Sequence, residues 1–295
     1  KNIQYNKEHR SKPQRISGKL LKLIYRAIEK REYFKEENKM KKLFAAVLCA
    51  AMVLSLGACG GSENTSAEAT SDDNKLYVGT EAGFAPYEYM SGDEVVGVDM
   101  DIAHAIADAM GKELVIKNMD FDGALNAVQQ GQVDFVAAAV SVDEERQNVM
   151  DFSHNYVDSS DVVVVNASAG TVNTNEEIAD KVIGVQQGNI ADIWVTDNYP
   201  DAEVKRYTKF VQAAEDLKNN KIDAIVMDLY PAQELVAANP ELKILDEENP
   251  LFVDQYAIAV KKGNQELLDQ INEVINQLIA DGKIEEFTAN HATAE

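Results

Sequence analysis

The segment from Ser141 to Arg146, written SVDEER, combines residue types that suit the binding of a small anion. Asp143 is typical of a helix N-cap, and the backbone N–H groups that follow such a cap attract negative charge. Arg146 would then lie in the first helical turn, where its charge opposes the helix dipole. A carboxylate held by the guanidinium fork would offset that cost. The alternative is a surface ion pair between Arg146 and Glu144 or Glu145.

Two segments with the same pattern predict that the chain builds one unit twice. They lie 89 residues apart, at 128–136 (VQQGQVDFV) and 217–225 (LKNNKIDAI). Each reads as the end of an amphipathic helix, a polar turn and a β-branched strand that opens with Val-Asp or Ile-Asp. An earlier strand precedes each copy, LYVGT at 76–80 and VIGV at 182–185. Chance similarity between two βα pairs is the alternative.

Helices separate these strands. One helix is predicted over 97–111, with Gly111 as its C-cap and an apolar face of Ile102, Ala103, Ile106, Ala107 and Met110. A second apolar stripe near the C-terminus consists of Leu267, Leu268, Ile271, Val274, Ile275 and Leu278. Alternating strands and helices predict parallel sheets, whose ligands bind beyond the carboxyl ends of the strands. Two such lobes facing each other would form a cleft.

Several motifs resemble, in order and spacing, the polar amino-acid-binding proteins of ABC importers, bacterial solute-binding protein family 3. They are VGTEAGFAPYEYMSGDEVVGVDMDIAHAIA at 78–107, VDFVAAAVSVDEERQNVMDFS at 133–153 and VIGVQQGN at 182–189. The family signature falls at Gly97-Val98-Asp99, and the resemblance extends from Lys75 to His291. It implies an α/β, two-lobed periplasmic-binding-protein-like fold. Each lobe would be a mostly parallel sheet flanked by helices, joined by a two-strand hinge.

The resemblance also implies where the lobes divide. We expect residues 75–164 and 256–295 in lobe 1 and residues 165–255 in lobe 2. The chain would cross between them near 162–165 and 254–257.

The family's binding positions are carried over residue by residue. Ser141 and Arg146 would hold the ligand carboxylate and Asp228 its ammonium, while Asp223 would be structural. Aromatic residues Phe84 and Phe121 would sandwich the ligand side chain, and Glu81 would contact its polar end. The remaining positions implied by the resemblance are Ala139, Gln186, Gly188, Asn189 and Ile190. Asn189 and Ile190 replace hydroxyl residues of the family, so only backbone N–H contacts carry over there.

The function implied is extracytoplasmic capture of a polar L-amino acid and its delivery to an ABC importer. Glu81 and the nearby acids Asp120, Asp122 and Asp143 favour a basic ligand. The partners would be the free amino acid and the permease subunits, with the protein acting as a monomer. We expect no catalytic residue, cofactor or metal. The alternative is an enzyme of the same fold, dehydratase-like, that acts on a small carboxylate.

Residues 40–58 read as a lipoprotein signal peptide. Met40-Lys41-Lys42 is a basic start, and the apolar run 43–56 has 14 residues, fewer than the ~20 that span a membrane. Leu56-Gly57-Ala58-Cys59 resembles the lipobox of bacterial lipoproteins, in which the thiol is lipidated and the chain is cut before the cysteine. Residues 59–74 would then form a flexible linker. An ordinary secretory signal with a chance cysteine is the alternative.

Residues 1–39 are basic and precede Met40, where the signal would begin. We interpret them as leader DNA upstream of the true start codon, which the cell would not translate into protein. The alternative is a translated basic extension. The first 58 residues carry 14 Lys+Arg and 5 Asp+Glu, which leaves 14 basic and 45 acidic residues and a net charge of −31. That charge argues against nucleic acid and anionic lipid as partners. We expect the protein at the outer face of the cell membrane, held by its lipid anchor, in a Gram-positive bacterium.

Overall fold

The computed structural model describes residues 74–292, so the predicted leader, signal peptide, Cys59 and most of the linker lie outside the described residues. The strands, in chain order, are β1 (Lys75–Thr80), β2 (Gly83–Phe84), β3 (Glu88–Ser91), β4 (Glu94–Val96), β5 (Glu113–Asn118), β6 (Phe135–Val136), β7 (Met150–Phe152), β8 (Val157–Asn166), β9 (Val182–Gln186), β10 (Glu203–Tyr207), β11 (Ala224–Asp228), β12 (Leu242–Ile244), β13 (Phe252–Tyr256) and β14 (Ala259–Lys261). The helices are α1 (Val98–Ala109), α2 (Phe121–Gln130), α3 (Glu144–Gln147), α4 (Ile190–Asn198), α5 (Phe210–Lys218), α6 (Leu229–Ala238), α7 (Gln265–Ala280) and α8 (Lys283–His291), with a 3-10 helix at Asn175–Asp180.

Two sheets form the two predicted lobes. The first has the order β5-β1-β6-β14-β7, and the second has the order β10-β9-β11-β8-β12, with β13 paired to β8. Parallel pairs join β1 to β5 and β6, and join β9 to β10 and β11. Strands β14 and β8 run antiparallel to their neighbours. The two-lobed α/β prediction is therefore confirmed, and the sheets are mixed because β14 in the first and β8 in the second run antiparallel to the parallel strands.

The predicted repeat is confirmed by a hydrogen-bond pattern that recurs in both sheets. In the first, Asp134 accepts from the Tyr77 N–H at 2.7 Å and donates its own N–H to the Tyr77 carbonyl at 2.8 Å. In the second, Asp223 makes the same pair of bonds with Val182, at 3.0 and 2.8 Å. Each aspartate thus fixes the start of one parallel strand against its neighbour, and Asp223 has the structural position expected of it.

The predicted helices bury the faces that their periodicity indicates. In α1, residues Ile102, Ala103, Ile106 and Ala107 are buried, and Gly111 follows the helix in the left-handed conformation. In α7 the stripe is buried except for the half-buried Val274. Among residues 74–292, no helix is both long and apolar enough to cross a membrane.

The chain passes between the two sheets at residues 153–156 and 257–258, which link β7 to β8 and β13 to β14. These passages are paired, because the Ser153 N–H donates to the Ile258 carbonyl at 2.9 Å and the Tyr156 N–H to the Tyr256 carbonyl at 2.9 Å. The first passage lies upstream of the expected 162–165, since β8 pairs within the second sheet from its first residue. Which residues move together as lobes stays a prediction.

One glycine sets the entry into α1. Gly97 has a φ of 132°, and a Cβ there would lie 2.1 Å from the carbonyl oxygen of Tyr87. That oxygen accepts the N–H of Asp99 at 2.9 Å, so it cannot retreat without losing its bond to the N-terminus of the helix.

We expect Gly97→Ala to lower the free energy of unfolding by about 3 kcal/mol or more, because it adds a backbone clash to a strained φ. Gly92→Ala is the matched control: φ is also positive, at 63°, but no atom lies within 4 Å of the added Cβ. The control should lose only the left-handed cost of about 1–2 kcal/mol. Urea unfolding monitored by circular dichroism measures both, and equal losses would contradict the role of the close contact.

Candidate functional site

The predicted site residues lie where strands end. Glu81 directly follows β1, Ala139 lies three residues beyond β6, Gln186 ends β9 and Asp228 ends β11. All four are buried. This is the edge at which open α/β sheets bind ligands, and here both sheets contribute to it.

The predicted N-cap of the short helix α3 is present. Asp143 accepts the N–H groups of Glu145 at 2.7 Å and Arg146 at 3.1 Å. Arg146 is only 6% exposed, so it is not part of a surface ion pair with Glu144 or Glu145. Its Nε instead lies 3.1 Å from the Asp143 carboxylate. The acid found at this position therefore partly neutralises the buried arginine.

The Arg146 guanidinium joins the two lobes. Its Nη1 donates to the Ser141 carbonyl at 2.6 Å, and its Nη2 donates to the Gly188 carbonyl in the second lobe at 2.8 Å. The Phe121 ring lies below it, with the guanidinium carbon 5.6 Å from the ring centroid. Burial lowers the pKa of Arg146, and Asp143 opposes that shift. A buried guanidinium with contacts to both lobes suits an anionic ligand group.

Glu81 forms a second contact between the lobes. The Gln186 side chain donates to one carboxylate oxygen at 3.0 Å, and Lys209 Nζ lies 3.1 Å from the other. Burial raises the pKa of Glu81, while Lys209 and Gln186 oppose that shift. Lys209 is absent from the sequence prediction because it lies far from Glu81 along the chain. In this structure Lys209 pairs with the Glu81 carboxylate, which is the group expected to contact the ligand side chain.

The two predicted aromatic residues have different surroundings. The ring of Phe84 packs 5.9 Å from Phe210 and 6.3 Å from Tyr87, between centroids, whereas Phe121 lies under Arg146. Both phenylalanines are buried. Their sandwiching of a ligand side chain stays a prediction.

The second-lobe loop is already well hydrogen-bonded. The Gly188 N–H donates to the Asp192 carboxylate at 3.1 Å, and the Asn189 N–H donates to the Gln186 carbonyl at 3.1 Å. Asn189 caps α4, which begins at the half-buried Ile190. Contacts between the backbone N–H groups of this loop and a ligand stay a prediction.

Ala139 is positioned by the signature aspartate. Its backbone is left-handed, with a φ of 46°, and its N–H donates to Asp99 at 2.7 Å. The other oxygen of Asp99 accepts from the Tyr156 hydroxyl at 2.8 Å. Burial raises the pKa of Asp99 to about 6, against the effect of these two bonds. The aspartate thus shapes the strand end that leads to Ser141.

Asp228 is 1% exposed and lies at the junction of β11 and α6. One of its oxygens accepts from the Ser159 hydroxyl at 3.2 Å and from the Tyr256 hydroxyl. Burial raises the pKa of Asp228 to about 7, and Asp254 adds to that shift. Arg146 interacts electrostatically with Asp228 across the cleft.

Three acids therefore meet here, since Asp161, Asp228 and Asp254 each have a carboxylate oxygen within 4.8 Å of the others. Sequence reasoning missed Asp161 and Asp254. The only signal for Asp161 was an acid standing directly before four valines, 162–165.

The comparisons with known proteins agree with this architecture. Residues 76–293 match the family model "Bacterial extracellular solute-binding proteins, family 3". The chain is 28% identical over 260 residues to the arginine-binding extracellular protein ArtP of Bacillus subtilis, covering 87% of this chain and all of that protein. It is 31% identical over 246 residues to a probable histidine-binding protein of Campylobacter jejuni, covering 82% of this chain and 95% of that protein.

A solved structure extends the likeness to three dimensions. The amino acid ABC transporter substrate-binding protein AbpA of Streptococcus pneumoniae, bound to L-arginine, superposes with a TM-score of 0.71 at 31% identity. The match covers 77% of this chain and 98% of that one. With a family match across the whole described fold, the chain belongs to the bacterial extracellular solute-binding proteins, family 3.

Proposed function

We propose that this protein captures a basic L-amino acid, arginine foremost, outside the cytoplasm and delivers it to an ABC importer. The observation that carries the proposal is the buried pair of opposite charges on facing lobes, Arg146 from the first and Asp228 from the second. A zwitterion with its carboxylate toward one and its ammonium toward the other would bridge the cleft. The arginine-binding relatives support the same class of ligand.

Glu81 favours a basic side chain over a neutral one. Its carboxylate is buried and already attracts one cation, Lys209. A ligand guanidinium would displace the Lys209 ammonium, whose side chain is 41% exposed and free to move into solvent. Phe84 would cover the aliphatic stem from the side of Phe210.

Delivery follows from closure of the two lobes on the ligand. Arg146 with Gly188, and Glu81 with Gln186, are contacts between lobes that ligand entry would reorganise. Movement about the paired passages at 153–156 and 257–258 would open the cleft. We further propose that the protein works as a monomer with permease subunits, anchored through Cys59 to the outer face of a Gram-positive cell membrane.

The first prediction concerns the α-group clamp. Arg146→Ala and Asp228→Asn should each weaken arginine binding roughly 30- to 5,000-fold, because each leaves a buried ligand charge without its partner. The matched controls are Lys181→Ala and Asp180→Asn, an exposed ion pair at the opposite end of β9 from Gln186, and they should bind as the wild type does. Isothermal calorimetry measures all four.

Near wild-type affinity in both clamp variants would overturn the assignment. Conversion of arginine to any product, followed by NMR over hours with the wild type, would instead favour an enzyme of the same fold.

The second prediction separates Glu81 from Lys209. Glu81→Gln should weaken arginine binding roughly tenfold or more while glutamine binding holds or improves. Lys209→Met removes the internal competitor and should strengthen arginine binding about two- to fivefold, the scale of a partly exposed ion pair. Competition assays with arginine and glutamine give both ratios. If Lys209→Met weakens arginine binding, the lysine belongs to the bound state and does not compete with the ligand.

The third prediction concerns the anchor. Cys59→Ala should shift the protein from the detergent phase to the aqueous phase, or leave its signal uncleaved, because the lipidated thiol is lost. Cys49→Ala changes the other cysteine, inside the apolar run, and should partition as the wild type does. Detergent phase partitioning of cell extracts followed by intact mass measurement decides, and an unaltered distribution of Cys59→Ala would exclude lipid anchoring there.

A further inference from the structure

Asp161 is a buried carboxylate for which the fold itself supplies no partner. It lies in β8 directly opposite Asp228 of β11 and is 0% exposed. Neither of its oxygens has a hydrogen-bond partner among residues 74–292. An unpaired buried carboxyl group is costly, so its presence beside a second acid calls for a ligand that compensates it.

Asp254 of β13 faces the same point. Both of its oxygens are shielded from solvent and make no well-formed hydrogen bond within the described part of the chain. Burial raises the pKa of Asp254, and the nearby hydroxyls of Ser141 and Ser159 oppose that shift. Asp228 is the third member, and one of its oxygens is occupied by Ser159 and Tyr256. One oxygen from each acid lies within 4.8 Å of the others. Three strands thus direct carboxylates at one small volume.

We propose that Asp161 and Asp254 join Asp228 in a three-carboxylate pocket that binds the primary ammonium of the ligand. An ammonium group has three N–H donors, and this pocket offers one acceptor group for each. The inference rests on the proposed function and adds two binding residues to it. It also gives donors to the oxygens of Asp161, which have no hydrogen-bond partner among residues 74–292, and further donors to those of Asp254.

The pocket adjoins the cation proposed to hold the other end of the ligand. The Arg146 guanidinium interacts electrostatically with both Asp228 and Asp254. The same arginine is placed for the carboxylate of the zwitterion. Both ends of one amino acid therefore find their counter-charges in adjoining positions.

Charge balance in the empty pocket requires protons. The other groups that face it are Arg146 from α3, Tyr87 and Glu88 from the start of β3, and Tyr256 from β13. Arg146 is the one cation among them, and burial raises the pKa of Glu88 well above its usual range. Burial and mutual repulsion raise the pKa of Asp228 to about 7 and that of Asp161 well above its ordinary value. Around neutral pH the empty pocket therefore retains protons.

Binding then exchanges a proton for the ammonium. A carboxyl O–H bond breaks, the proton passes to solvent or buffer, and the carboxylate accepts an N–H of the incoming ammonium. The carboxyl pKa values are raised in the empty protein and fall when the cation arrives. At a pH between the pKa values of the bound and the empty protein, binding therefore releases protons. Affinity should accordingly rise with pH up to about 7 and level off above the free values.

Calorimetry with L-arginine at about pH 6.5, in phosphate and in imidazole, tests the pocket, because the difference in apparent enthalpy counts the protons released. We expect release of about one proton for the wild type and distinctly less for Asp161→Asn and Asp254→Asn, each with roughly tenfold or more weaker binding. The arginine analogue that lacks the α-amino group should bind without proton release. Asp180→Asn is the surface control and should match the wild type.

Four results would contradict the pocket, and they differ in what they imply for the proposed function. Arginine binding with unchanged affinity and proton release in both variants would overturn the pocket while leaving the proposed function intact. Proton release by the amino-free analogue would overturn it as well. Tight binding of Ca²⁺ or Mn²⁺ alone, lost in Asp161→Asn, would assign the acids to a metal instead. Absence of amino-acid binding in the wild type would overturn both proposals. If Asp161→Asn fails to fold, the pocket is tested by Asp254→Asn and by the arginine analogue that lacks the α-amino group.

Discussion

The burial of Arg146 is the constraint on which the rest of the site depends. Its guanidinium is almost fully removed from water, and its direct contacts are two carbonyls, one carboxylate and an aromatic face. One of those carbonyls, that of Gly188, belongs to the opposite lobe. The arginine is therefore a point where closure of the lobes and recognition of an anion act through the same atoms. Separation of the lobes would replace the Gly188 carbonyl by water at this guanidinium.

The second lobe brings three acids close together. Asp228, Asp161 and Asp254 come from three neighbouring strands of one sheet, so their mutual distance is set by strand pairing and changes little when side chains move. Burial raises the pKa of all three acids, and repulsion from the neighbouring acids adds to the rise for Asp161 and Asp228. In the proposed complex, the ligand would contribute to closure from both sides, with its carboxylate on Arg146 and its ammonium on the acids.

Much of the scaffold is predictable from the sequence because it depends on local pattern. The Val-Asp and Ile-Asp strand openings, the α1 face and the Asp143 cap each follow from residue types a few positions apart, and the structure has all of them. Arg146 lies in the short helix that follows Asp143, as expected, and Asp228 ends its strand. Their contacts with a ligand stay predictions, as do the limits of the moving lobes.

The missed features depend on distant pairing. Asp161 opposes Asp228 only through the antiparallel register of β8 and β11, which no local pattern in the sequence reveals. Lys209 reaches Glu81 because α5 begins beside the end of β1 when the lobes meet. The first passage between the sheets, at 153–156, precedes the valine-rich run 162–165 where the crossing is expected. The reason is that β8 pairs within the second sheet from Val157 onward.

A crystal structure of the purified protein with L-arginine tests the central claim most directly. We expect the ligand between the lobes, with its carboxylate hydrogen-bonded to Arg146 and its ammonium within hydrogen-bond distance of Asp228. An arginine bound to one lobe alone, or oriented with its α-groups away from both residues, would contradict the account.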